Sequence, residues 1–192
     1  MKTLRWLPFS ALALLLVGCS PSVQSTVPAA NAEPQVTLDL VDWATIQQRI
    51  QSHKGKIVVV DCWSTSCEPC LREFPGLVTL SHKHPDQVAC ISLSFDFEGL
   101  GKPEEQRDKV LSFLQSKKAT LENLLSTDPC DDLYAKLKLA AIPAVFVYDR
   151  HGKLAQKFDD SYGGNKGFTY ADVDAEVTKL MSPLGQPMVP SK

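Results

Sequence analysis

The sequence predicts an α/β domain built on one central mixed β-sheet flanked by helices. Three observations lead there. Short β-branched runs, "IVVVDCW" (57–63), "VACISLSF" (88–95) and "AVFVYD" (144–149), alternate with amphipathic stretches of helical period. After the last run, the turn "RHGK" leads into "LAQKFD" (154–159), which pairs back as a hairpin strand. The 192 residues are 44% hydrophobic and 22% charged, with no internal repeat. That suits one core and is too little for two comfortable ones.

The N-terminal residues stand outside this plan. Lys2 and Arg5 give a positive start, and "ALALLLV" (11–17) is an apolar run too short for a membrane-spanning helix. It reads as a secretory signal. Leu16-Val17-Gly18-Cys19 resembles the lipobox of bacterial lipoproteins. The resemblance implies a signal peptide over 1–18, lipidation of Cys19 and a membrane anchor held by acyl chains. The chain is then extracytoplasmic, on the periplasmic side, and Ser20 permits sorting to an outer membrane. "SPSVQSTVPAANAEPQ" (20–35) has no apolar period and reads as a flexible tether of roughly 20–25 Å root-mean-square span. The expected domains are therefore 1–18, signal; 19–40, lipidated cysteine and tether; 41–183, the folded domain; and 184–192, a loose tail.

Within the domain, Asp42 is a helix cap ahead of Trp43, Ile46 and Ile50, and "HKGK" ends that helix. The run 57–63 is a buried strand. A helix follows from about Cys67, with Leu71, Phe74, Leu77 and Val78 inward and Pro75 expected to kink it. Residues 88–95 form the second strand, and "EEQRDKVLSFLQS" (104–116) is a helix with Val110, Phe113 and Leu114 on one side. "LENLLST" (121–127) fits strand or helix, and "DDLYAKLKL" (131–139) reads as helix. "GGNKG" breaks the chain before the last helix, "YADVDAEVTKLM" (170–181), which turns Val173, Val177, Leu180 and Met181 inward.

Charge narrows the function. The formal net charge is −2 and there is no basic run, so nucleic acid is not an expected partner. Removing the signal leaves 18 basic and 22 acidic residues.

Six cysteines carry the chemistry, three of them inside "DCWSTSCEPC" (61–70). Cys67-Glu68-Pro69-Cys70 is a Cys-x-x-Cys, which is either half of a metal site or a redox dithiol. A structural zinc site needs two more ligands, and neither a second such pair nor a fitting histidine pair is present. No metal and no cofactor are expected. A dithiol here has a mechanism. Cys67 falls at a strand-to-helix junction, where free N–H groups and the helix dipole stabilise a thiolate. Pro69 sits in the first turn, where its missing N–H costs nothing. Cys70 lies one turn on, facing the same side. Cys67 is the attacking thiol and Cys70 the resolving one.

"VVVDCWSTSCEPCLREFP" (58–75) resembles the active-site segment of the thioredoxin superfamily. The strand-end acid, the Trp two residues later, the Cys-x-Pro-Cys and Pro75 fall in register, closest to the membrane-anchored ResA/TlpA branch. "AAIPAVFVYDRHGKL" (140–154) resembles that family's second signature. The resemblance spans roughly 42–181 and implies a thioredoxin-like fold and a thiol-disulfide oxidoreductase with a Cys67–Cys70 redox disulfide. It implies a cis Pro143 packed against the dithiol, with the Ile142 backbone pairing with a substrate chain. It implies that Asp61 lies beneath the dithiol as general base for Cys70, its pKa raised by burial. Trp63, a packing residue lining the site, is grouped with Glu68, Pro69 and Ile142 as substrate-contacting. Where the family usually has Trp before the first cysteine, this chain has Ser66. Glu68 disfavours the Cys67 thiolate, which leans towards a reductase.

Strand alternation sends Cys62 to the face opposite Asp61, as a small core residue, and Cys90 reads the same way. Cys130 is either a free thiol near the substrate groove or a partner for Cys90. The expected partners are protein thiols and disulfides, a membrane-bound electron donor and the membrane itself; a monomer is expected. Two alternatives share the fold. A peroxiredoxin-type peroxidase carries Pro-x-x-x-Thr-x-x-Cys, but Ser64 stands at the threonine position and no proline precedes in register. A copper-delivery protein uses Cys-x-x-x-Cys and a distant histidine, whereas here the spacing is one shorter and His151 lies in a turn.

Overall fold

The computed structural model describes residues 35–182, the side chain of Asn165 excepted. The signal peptide (1–18), Cys19, the tether as far as residue 34 and the tail (184–192) lie outside the described residues.

Among the described residues, six strands and five helices alternate, except that the last two strands follow one another directly. They are β1 (Asp39–Val41), α1 (Trp43–Ser52), β2 (Ile57–Trp63), α2 (Glu68–Lys83), β3 (Val88–Ser94), α3 (Arg107–Ser116), β4 (Glu122–Ser126), α4 (Cys130–Leu137), β5 (Ala144–Tyr148), β6 (Leu154–Phe158) and α5 (Tyr170–Met181). Short 3-10 turns precede α3 and α5. The sheet order is β1-β4-β3-β2-β5-β6. β1, β4, β3 and β2 run parallel; β5 is antiparallel to β2, and β6 to β5. The mixed sheet expected from sequence is therefore present, closing hairpin included.

β2 is central, and all seven of its residues are buried. Its alternation divides the core. Val58, Val60 and Cys62 pack with Ile46 and Ile50 of α1 and Leu133 of α4. Ile57, Val59 and Trp63 pack with Phe74 and Leu77 of α2, Val110 and Leu114 of α3, and Val173 and Val177 of α5. A strand covered on both faces has no polar side to show, which is why its sequence is a continuous apolar run.

Asp42 caps α1 by accepting from the Thr45 N–H at 2.9 Å. α2 continues through Pro75 to Lys83; it buries Cys70, Phe74, Leu77 and Leu80, while Leu71 and Val78 are only half-buried. The ambiguous segment 121–127 is a strand, β4, paired on both sides and buried over its last four residues. The expected boundary between tether and domain at residue 40 is corrected. β1 starts at Asp39, and Leu38 before it is buried in the core. The period-two pattern Val36, Leu38, Leu40 carried that signal, but three paired residues are too few to stand out from a tether. No helix among the described residues is long and apolar enough to cross a membrane.

Candidate active site

Cys67 and Cys70 form a disulfide at the start of α2, with Cα atoms 5.2 Å apart. Cys67 is the N-cap residue: its backbone is extended, and its sulfur lies 3.3 Å from the Cys70 N–H. The helix therefore aims free N–H groups at this sulfur, which favours a thiolate once the bond is reduced. Cys67 is half-exposed and Cys70 is buried, so an incoming sulfur meets Cys67 first.

The peptide bond Ile142–Pro143 is cis. It lies just before β5, which pairs with the cysteine-bearing strand β2, and that pairing brings the loop over the dithiol. The Cys67 sulfur is 3.7 Å from the Ile142 carbonyl oxygen. A groove of about 860 Å³ opens beside it, lined by Ser66, Cys67, Glu68, Cys130, Asp131 and Ile142 among others. A second cavity, of about 410 Å³, includes Pro69, Glu73, Pro143 and Phe168 in its lining. Cys67, Glu68, Pro69, Ile142 and Pro143 are thus together. Trp63 is not with them. It is fully buried and lines neither cavity, so its grouping with substrate-contacting residues is corrected. Its ring stacks at 4.8 Å from both Phe74 and Phe113, beneath the site rather than in it.

Asp61 sits on the sheet face of Val59 and Trp63, the face whose core includes Cys70. It is 4% exposed. Its pKa is raised to about 7: burial is the main cause, a hydrogen bond from Tyr170 works against it, and the charge of Glu73 adds to the rise. The Tyr170 hydroxyl donates to Asp61 Oδ2. The Tyr170 N–H donates to Glu73 Oε2 at 3.3 Å. Neither Tyr170 nor Glu73 stands out in the sequence as a site residue. A signal for Tyr170 existed: the period that buries Val173 and Val177 places it on the same face, and a buried tyrosine needs a partner for its hydroxyl.

A third unanticipated residue is Asp96, 5% exposed and two residues beyond the end of β3. It accepts from the Thr65 N–H at 3.1 and 3.2 Å, from the Thr65 hydroxyl, and from Ser94 Oγ at 2.7 Å. Lys109 Nζ lies 3.1 Å away and balances its charge. This network fixes the loop that delivers Cys67. Ser66, where the family usually carries tryptophan, is exposed, and its hydroxyl lies 2.8 Å from that of Ser64. Glu68 is 85% exposed and pairs with Arg72 at 3.1 Å, which offsets its repulsion of a Cys67 thiolate.

The remaining described cysteines, Cys62, Cys90 and Cys130, are free. Cys62 is buried on the face opposite Asp61, and Cys90 is buried on the Asp61 face. Burial pushes the Cys62 thiol well above its ordinary value and the Cys90 thiol to about 12. Cys130 packs at the other face and lines the Cys67 groove, so pairing of Cys90 with Cys130 is excluded by the intervening sheet.

A family model described as Thioredoxin-like matches residues 55–154. The chain belongs to the thioredoxin-like family. It is 25% identical over 157 residues to the sporulation thiol-disulfide oxidoreductase A of Bacillus subtilis, across 80% of this chain and 88% of that one. It is 24% identical over 105 residues to the thioredoxin-like protein YneN of the same organism, across 55% of this chain and 57% of that one. A Chlorobium tepidum structure assigned as the thiol:disulfide interchange protein DsbE superposes with a TM-score of 0.55 at 19% identity, over 69% of this chain and 85% of that one; this likeness is one of fold. Family and dithiol together make this domain a thioredoxin-like thiol-disulfide oxidoreductase.

Proposed function

We propose that the chain reduces disulfides in extracytoplasmic proteins through Cys67 and Cys70, and is itself re-reduced by a membrane-bound electron donor. The observation that carries this is the half-exposed Cys67 sulfur at a helix N-terminus, against the Ile142 carbonyl and beside a groove open to a peptide. In the reduced protein the Cys67 thiolate attacks one sulfur of the substrate disulfide. A Cys67–substrate bond forms and the other substrate sulfur leaves as a thiolate. Asp61 takes the Cys70 proton, and the Cys70 thiolate attacks Cys67. The Cys67–Cys70 bond closes, and the second substrate sulfur leaves. Ile142 and Pro143 hold the substrate backbone, and Glu68 and Pro69 border the groove.

The reductive direction is supported by the charges around the dithiol. Asp61, on the sheet face whose core includes Cys70, feels the charge of Glu73, and no lysine or arginine is among the residues lining the Cys67 groove. Negative surroundings disfavour thiolates and so the reduced form, which makes a dithiol more reducing. The lipobox at Cys19 and the apolar run before it support an acylated, membrane-held protein on the periplasmic side. Trapping tests the scheme. Cys67→Ser abolishes reduction of a protein disulfide, and Cys70→Ser accumulates a substrate adduct on Cys67 that dithiothreitol releases. Full activity in Cys67→Ser overturns it.

A further inference from the structure

The assignment of Asp61 as proton acceptor leaves open what holds its carboxyl group in place. Asp61 lies in β2 with no backbone freedom, and its side chain is buried. Among the described residues, one side chain hydrogen-bonds to that carboxyl group: Tyr170, whose hydroxyl donates to Oδ2. The other titratable groups around it are Glu73 from α2, Cys90 from β3 and Cys62 from its own strand, with the Cys67–Cys70 disulfide at the head of α2. None of these is a cation. A carboxylate formed here depends on a neutral donor for stabilisation.

Tyr170 is itself held from three directions. It is the first residue of α5, directly after the N-cap Thr169, whose capping box with Asp172 fixes the helix start. Its N–H donates to Glu73 Oε2 at 3.3 Å. Its ring lies against Gly76 of α2 so closely that a Cβ on Gly76 would come within 2.3 Å of the ring carbon Cγ. Glu73 and Gly76 are three residues apart on one face of α2, the helix that opens with Cys67 and Cys70. The dithiol helix thus carries its own socket for the tyrosine that reaches back to Asp61.

We propose that Tyr170 is a positioning residue for the exchange reaction. Its hydroxyl holds the Asp61 carboxyl group under the dithiol and keeps it able to accept the Cys70 proton in the resolving step. This rests on the reading of Cys67 as nucleophile, Cys70 as resolving thiol and Asp61 as base. A hydrogen bond donated to a carboxylate favours the charged form, so removing the hydroxyl raises the pH at which Asp61 can act as a base.

The test follows reduced full-length protein mixed with 5,5′-dithiobis(2-nitrobenzoate), by stopped flow across pH. Attack by Cys67 releases the first nitrothiolate in a second-order step. Attack by Cys70 on the mixed disulfide releases the second in a first-order step, independent of reagent concentration. In Tyr170→Phe the acid limb of the first-order step moves up by about one to two pH units, a roughly ten- to hundredfold loss of rate below the limb. The acid limb of the second-order step stays at its wild-type position; a general loosening of the fold moves both. An unmoved first-order limb in folded Tyr170→Phe overturns the proposal. If that variant does not fold, carbon NMR on wild type decides. The Asp61 carboxyl and the Tyr170 Cζ then report one shared midpoint, and separate midpoints overturn the proposal. Absence of any first-order release in wild type defeats the dithiol reading along with it.

Discussion

At Asp61, burial and function act on the same carboxyl group in opposite ways. The folded-state pKa of about 7 is above the ordinary 3.8, so the folded protein binds a proton that the unfolded chain has already lost between those values. Its contribution to stability is fully present below about pH 4 and is lost as pH rises to about 7. Asp61→Asn removes this dependence. The melting temperature of the variant rises relative to wild type as pH goes from about 4 to about 7, and the gap is constant above that. The same substitution slows resolution by Cys70, because no base remains to take its proton; a gain in stability accompanied by loss of exchange is the expected pair of results. Equal melting temperatures for variant and wild type at pH 8 contradict a buried, charged Asp61. This much was legible in sequence, since an acid ending an apolar run is conspicuous. Its partners were not. Tyr170 is 109 residues from Asp61, and a hydrogen bond of that separation leaves no local pattern.

At the scale of elements, α2 does three things: it caps a sulfur with its first turn, buries Phe74 and Leu77 with its inner face, and seats Tyr170 at Gly76. The seat makes a prediction. Gly76→Ala forces the Tyr170 ring away from α2, with an overpacking cost of about 1–3 kcal/mol in urea unfolding. Wild-type stability in Gly76→Ala contradicts that contact. The aromatic cluster makes another. Trp63, Phe74 and Phe113 stack at centroid distances of 4.8–5.1 Å, and Phe74→Ala opens a cavity costing about 3–5 kcal/mol. A cost below about 1 kcal/mol indicates that the cluster collapses around the gap. Elements with a long apolar period, β2 and α5 above all, were read with their observed limits, because burial on a fixed face repeats in the sequence. β4 was ambiguous because "ENLLS" is too short to separate the two periods; it is paired on both sides by distant strands. β1 was hidden because its pairing to β4, not its own three residues, makes it a strand.

For the molecule as a whole, the sheet sorts the cysteines by access. Cys62 and Cys90 are sealed on opposite faces, whereas Cys130 borders the groove beside Cys67. With the Cys67–Cys70 bond closed, a maleimide modifies Cys130 under native conditions and reaches Cys62 and Cys90 only after unfolding. Peptide mapping checks this, and native labelling of Cys62 contradicts the core division. Partial burial, together with nearby Asp131 and Glu98, raises the Cys130 thiol, so the reaction is slower than with an unhindered thiol. The dithiol and the cis proline were legible as two motifs, but the groove between them is made by chain folding alone, as is the Asp96 network that holds the cysteine loop. Whether Cys67 and Cys70 are a reducing dithiol is read from a redox titration of the protein followed by thiol trapping. A reducing dithiol gives one two-electron transition with a midpoint near or below roughly −250 mV, close to the thioredoxin value. A midpoint near about −120 mV, as for strong oxidants, or no transition assignable to this pair, contradicts it.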